Sequence, residues 1–167
     1  LYYSKHLHIL LAFPNTYFAS VRPLGTSKIN PVVTREVKLM LDPNANSFAM
    51  PQDTNPPDKC GASDVTDLTW IQLMNAYTCT ECGRCTDECP ANLTGKKLSP
   101  RTIMMKTRDR LEEIGCNIDK HGTFQLDGKQ LLGDYITPEE LWACTTCNAC
   151  VEVCPVGINP LSIIMDM

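Results

Sequence analysis

Residues 79–90 read "CTECGRCTDECP" and residues 144–155 read "CTTCNACVEVCP". Each runs C-x-x-C-x-x-C-x-x-x-C and closes on proline, so eight of the ten cysteines of this 167-residue chain sit in two copies of one spacing. Three cysteines at two-residue gaps wind a loop around one point and offer three thiolates to one cluster. The fourth, after a longer gap and before proline, turns away and in this spacing ligates the other cluster of a two-cluster protein. The ligands therefore cross. Cys79, Cys82, Cys85 and Cys154 are assigned to one [4Fe–4S] cluster, and Cys144, Cys147, Cys150 and Cys89 to the second.

Zinc fits this pattern less well, because its four ligands come as two pairs with a long gap between them. A zinc-stabilised interaction module stays as the alternative from another class. Disulfides fit worse, since such dense runs close only short, strained loops. Gly83 and Asn148 hold matching places in the two motifs, where a loop wrapping a cluster calls for left-handed backbone or close approach. Every cluster corner has a cysteine, so the pattern implies electron carriage with no catalytic residue and no substrate-converting site.

Working outward, the motifs sit in a longer repeat: a helix, the cysteine run, then a helix begun by proline. "SPRTIMM" at 99–105 mirrors "NPLSIIM" at 159–165. "DVTDLTWIQLMNAYTC" is a helix after an Asp or Thr cap, with Leu68, Ile71 and Met74 on one face and Trp70, Leu73 and Tyr77 on the next. "SPRTIMMKTRDRLEEIG" starts at Ser99 and Pro100 and is expected to end at Gly115. "TFQLDGKQLL" alternates around Asp127-Gly128 and predicts a hairpin. "TPEELWAC" carries a capping box, Thr137 with Glu140. The fold class is mainly α, with a small β-hairpin between two cluster-binding halves.

Three domains are drawn: the end of a spanning helix at 1–13, an extended linker at 14–63 and the cluster domain at 64–167. Thirteen residues fall short of the roughly 20 that cross a bilayer, so residues 1–13 read either as the last turns of a truncated spanning helix or as a short surface or core helix. Pro14 is expected to stop it. Residues 14–60 carry Pro, Asn and Gly every few positions, with one short element at "VVTREVKLML". The abrupt start and finish read as a piece of a longer polypeptide. Lys5, Tyr2 and Tyr3 suit a membrane interface.

Hydrophobic residues make up 43% and charged ones 20%, which suits a globular body. The net charge of −4 argues against nucleic acid, which attracts a basic stripe. Cys60 and Cys116 read as structural, buried thiols, and Trp70 and Trp142 as packing over the clusters. Lys96 and Lys97 with Arg101, Lys106, Arg108 and Arg110 read as a solvated basic face. His121 reads as a turn residue.

The wide separation of the motifs, with helices between them, resembles the helical ferredoxin domain of succinate dehydrogenase iron–sulfur subunits, heterodisulfide reductase C subunits and glycolate oxidase iron–sulfur subunits. The stretch from "ANSFAMPQDTNPPDKCG" through the first motif looks closest to membrane-bound iron–sulfur oxidoreductases fused to a nitrate-reductase-gamma-like cytochrome b domain. The resemblance implies a flavoprotein donor such as electron-transfer flavoprotein, a cytochrome b or quinone acceptor, and a place on the cytoplasmic face of the cell membrane. It also implies haem b near "YSKHLHIL", where a Ser-Lys/Arg-x-x-His pattern falls on Ser4, Lys5 and His8, with His8 as the ligand. A soluble heterodisulfide-reductase-C-like subunit is the alternative within the class.

Overall fold

The computed structural model describes residues 6–19, 31–41 and 61–167. Among these the chain is mainly helical and forms no strand, only an isolated bridge between Leu132 and Ile136. Helices α1 (Leu7–Phe18) and α2 (Pro31–Leu41) precede the cluster region. There, α3 (Trp70–Thr78) leads into the first motif, which holds two single-turn helices, α4 (Arg84–Asp87) and α5 (Pro90–Leu93). The long α6 (Pro100–His121) follows. The second half repeats the order with α7 (Pro138–Trp142), α8 (Ala149–Glu152) and α9 (Pro160–Asp166).

The start signals in the sequence act as capping chemistry predicts. Thr69 and Gln72 form a capping box at α3, and Thr137 and Glu140 form one at α7. Ser99 accepts from the Thr102 N–H at the head of α6, with Pro100 at the first helical position. The stop signal differs from expectation. Helix α6 runs through Gly115 to His121, where left-handed Gly122 (φ 76°) donates its N–H to the Ile118 carbonyl. A lone interior glycine costs about 1 kcal/mol against alanine, too little to end a helix whose preceding turn carries the buried Arg110 and Ile114 and whose following turn is tied to Gln125 by Asn117.

Ile103, Met104 and Ile114 on α6 pack with Ala76 of α3, Ile163 and Ile164 of α9, and with Leu98, Leu131 and Ile136. Helices α3 and α9 are bound by polar ties: Asn75 Oδ1 accepts the Asn159 N–H (2.8 Å), and Gln72 donates to Asp166. Because α6 touches α3, α4 and α9, one rod supports both halves and fixes the two cysteine loops relative to each other.

The expected hairpin at residues 123–132 does not form, although Gly128 does turn left-handed (φ 74°). Side chains of α6 take the backbone groups that a ladder needs. Asn117 accepts the Gln125 N–H and donates to the Gln125 carbonyl, while Arg110 donates to the Lys129 carbonyl. Arg110 itself is wholly buried, the opposite of a solvated face. Its guanidinium bridges Asp64 and Asp127. The rest of the expected basic face is largely paired too: Lys97 with Glu139, Lys106 with Glu140, and Arg108 with Glu81.

Pro14 lies inside α1 and does not stop it, while α2 at 31–41 takes the place of the one short element expected in the linker, whose described residues 61–63 are irregular. No helix among the described residues is long and apolar enough to cross a membrane. Helix α1 instead lies along α3. Asn15 Nδ2 donates to the Val156 carbonyl (2.8 Å), and Phe18 meets Trp70 edge-on with ring centroids 5.0 Å apart.

Candidate metal centre

The first motif leaves α3 at Cys79 and reaches α4 through residues 80–83; the second leaves α7 and reaches α8 through 144–148. Both loops reverse handedness at the same two places. Glu81 (φ 58°) and Thr146 (φ 55°) are left-handed two residues after the first cysteine, and Gly83 (φ 88°) and Asn148 (φ 61°) four residues after it. A left-handed residue among right-handed neighbours turns successive N–H groups inward and makes a concavity that binds anions, a geometry common at iron–sulfur sites. The N–H of Thr146 points at Cys144 Sγ (3.5 Å), and that of Glu81 bonds Cys79 in the same way.

The loops wall two cavities. Cys79, Cys82, Cys85 and Cys154 line the first, together with Met104, Ile158 and the arginines Arg84 and Arg101. Cys89, Cys144, Cys147 and Cys150 line the second, with Leu98, Leu161 and Ile164. The fourth cysteine of each motif thus stands with the first three of the other. Cys150 also reaches the first cavity and lies near Cys85, so the third cysteines meet at the boundary between the sites. The second cysteines, Cys82 and Cys147, face solvent.

The donor set suits an iron–sulfur cluster. The cavities hold space not filled by atoms, about 410 Å³ and 320 Å³ including volume open to solvent; five cysteines line the first and four the second, among largely apolar side chains. Among the described residues no three Cys, His, Asp or Glu side chains converge closely enough to hold one metal ion. Burial pushes the thiols up, to about 11 at Cys85 and about 12 at Cys150, with neighbouring sulfurs adding to the effect; Cys79 and Cys144 also rise. Bound cluster iron would reverse that preference, because a ligating thiol gives up its proton.

His8 is half-buried on α1 and lines neither cavity. Cys116 is exposed on α6, contrary to a buried structural thiol, and Cys60 lies outside the described residues. Trp70 and Trp142 are both exposed, so neither packs over a cavity. His121 closes α6. Glu81 and Thr146 escape a reading by residue type; only their equal offset in the repeat marks them.

Residues 78–158 match the family model described as a 4Fe-4S dicluster domain, which spans both cysteine loops and the helices between them. Among individual proteins, the chain is 32% identical, over 98% of its length, to the "Probable iron-sulfur-binding oxidoreductase FadF" of Bacillus subtilis, of which it covers 24%. It is 27% identical, over 76% of its length, to the "EtfAB:quinone oxidoreductase" of Syntrophomonas wolfei, covering 20% of that protein. It is 31% identical, over 53% of its length, to the iron-sulfur C subunit of the CoB–CoM heterodisulfide reductase of Methanopyrus kandleri, covering 35% of it. The chain spans about a quarter of the length of the first two relatives. No solved structure matches it.

Proposed function

We propose that this chain carries single electrons through two [4Fe–4S] sites in series, as the cluster-bearing segment of a membrane-associated oxidoreductase. The observation that carries the reading is the pair of cavities, each walled by three cysteines of one loop and the fourth of the other. Cys79, Cys82, Cys85 and Cys154 hold one cluster, and Cys144, Cys147, Cys150 and Cys89 the other. When bound, the clusters supply one-electron redox chemistry; the chain supplies spacing, insulation and access. Cys82 and Cys147 mark the solvent-facing ends of the route, and Cys85 with Cys150 the crossing between sites.

The electrons come from a flavoprotein of the electron-transfer-flavoprotein kind and leave toward haem b or a quinone. A relative named for EtfAB and quinone supports this direction. The chain lies at the cytoplasmic face of the cell membrane, where thiols stay reduced and clusters are assembled. Helix α1 turns Ile9, Leu10, Phe13 and Tyr17 outward, each more than half exposed, and so offers an apolar face toward a membrane or its spanning helices. Haem b at His8 enters only through the pattern on Ser4, Lys5 and His8. The match to a C subunit of heterodisulfide reductase favours a second reading, a subunit without membrane attachment.

The test is the full-length protein mixed with chemically reduced electron-transfer flavoprotein. Rapid bleaching of the brown iron–sulfur absorbance, reversed by a water-soluble quinone, supports the proposal. Absorbance that bleaches with dithionite but not with the flavoprotein removes the proposed donor.

A further inference from the structure

The two sites have the same sulfur count but different surroundings. Arg84 and Arg101 line the first cavity, both exposed at its mouth, whereas no charged side chain lines the second. Arg101 Nη1 and Asp87 Oδ2 both come within 3.9 Å of where a Cβ would stand on Gly83, so one guanidinium leans over the first cysteine loop with one carboxylate beside it. The other charges near that loop cancel, since Arg108 Nη2 lies 2.6 Å from Glu81 Oε1. Around the second site the exposed charge next to a ligand is acidic, Glu88 beside Cys89, whereas Asp87 and Glu152 each stand two residues from a cysteine of either site and so separate neither.

We propose that Arg84 and Arg101 set the direction of electron flow by making the Cys79–Cys82–Cys85–Cys154 site the higher-potential one. The physical basis is Coulombic. A site that accepts one electron becomes one unit more negative, and a nearby fixed cation favours that state while a nearby carboxylate opposes it. Arginine keeps its charge at every working pH. A single electron shared between the sites therefore rests at the first in preference to the second, with no proton taken up. Arg84 and Arg101 are positioning residues that act through the field they place at the cavity mouth. The proposal rests on the reading of two [4Fe–4S] sites.

The experiment is a redox titration of the iron-loaded full-length protein, followed by electron paramagnetic resonance. The two signals are assigned with Cys154→Ser, which alters the first site, and Cys89→Ser, which alters the second. Iron and acid-labile sulfide are counted in every sample, so a failure of the two-cluster reading shows as a wrong count and stays separate from the potentials. In the native protein the first site takes up its electron at the higher potential. In the double variant Arg84→Gln, Arg101→Gln the preference for the first site falls about tenfold, equivalent to about 59 mV for one electron, while Arg84→Lys, Arg101→Lys restores it. If the neutral variant loses clusters, salt replaces it: raising ionic strength lowers the first potential more than the second. A native first site at or below the second, or equal shifts at both sites with charge removal or salt, overturns the proposal.

Discussion

Replacing Arg110 by methionine removes a side chain that ties the start of the cluster domain, α6 and the connection between the halves together. The guanidinium is fully buried and donates to Asp64 through Nε (3.1 Å) and Nη2 (2.8 Å), to Asp127 through Nη2 (3.0 Å), and to the Lys129 carbonyl (2.8 Å). Breaking a buried ion pair from one side costs about 3–5 kcal/mol, because the remaining charge stays desolvated. Asp64 keeps the N–H groups of Val65 and Leu131, which favours the lower end of that range, about 3 kcal/mol. Against a domain stability of roughly 5–15 kcal/mol, the variant loses a large share, and its melting temperature falls by roughly 10 °C. Arg110→Lys keeps the charge but loses the planar fork and so falls between the two. The assay is denaturant unfolding of the iron-loaded protein, followed by visible absorbance and circular dichroism. A methionine variant within about 1 kcal/mol of the parent refutes the claim that this buried pair organises the domain.

Further outcomes follow from the same geometry. The hydrogen bonds from Arg110 hold the Asp127 carboxyl at about 2, below its ordinary 3.8; a depressed carboxylate stabilises above the unfolded value and loses that contribution as pH falls toward the folded one. The stability gap between the parent and Asp127→Asn therefore stays constant from pH 8 to about 4.5 and shrinks only below about 4; a gap already halved at pH 6 contradicts this. Gly83→Val forces a β-branched residue to φ 88° and lowers iron content through loss of the first site, while Asn148→Gly leaves both sites loaded. Chelating the metal abolishes cooperative unfolding, since much of the interior is built around the cavities; a sharp, near-native melt of iron-free protein goes against it.

The cysteine repeat was legible because ligand identity and spacing are written directly in the chain, and Gly83 and Asn148 because their residue types already favour left-handed backbone. Glu81 and Thr146 adopt the same handedness without any such type, since the loop imposes it. Tertiary pairing explains the other departures. Asp127-Gly128 does turn, but Asn117 and Arg110 on α6 take the hydrogen bonds of the would-be hairpin. Arg110 looks like a surface residue until Asp64 and Asp127, 46 residues before it and 17 after it, converge on it. Gly115 sits mid-helix because Arg110 and Ile114 anchor the turn before it and Asn117 bonds Gln125 from the turn after it. Pro14 is accommodated in a helix that packs on α3, a contact no local pattern announces.

The crossing of the fourth cysteines is tested most directly by Cys154→Ala, with iron and sulfide counted and the reduced protein examined by electron paramagnetic resonance. The account predicts that the cluster built on Cys79, Cys82 and Cys85 is lost or degraded, although Cys154 belongs to the other motif, while the one held by Cys144, Cys147, Cys150 and Cys89 keeps its signal. Loss of the second-motif signal with the first intact contradicts it.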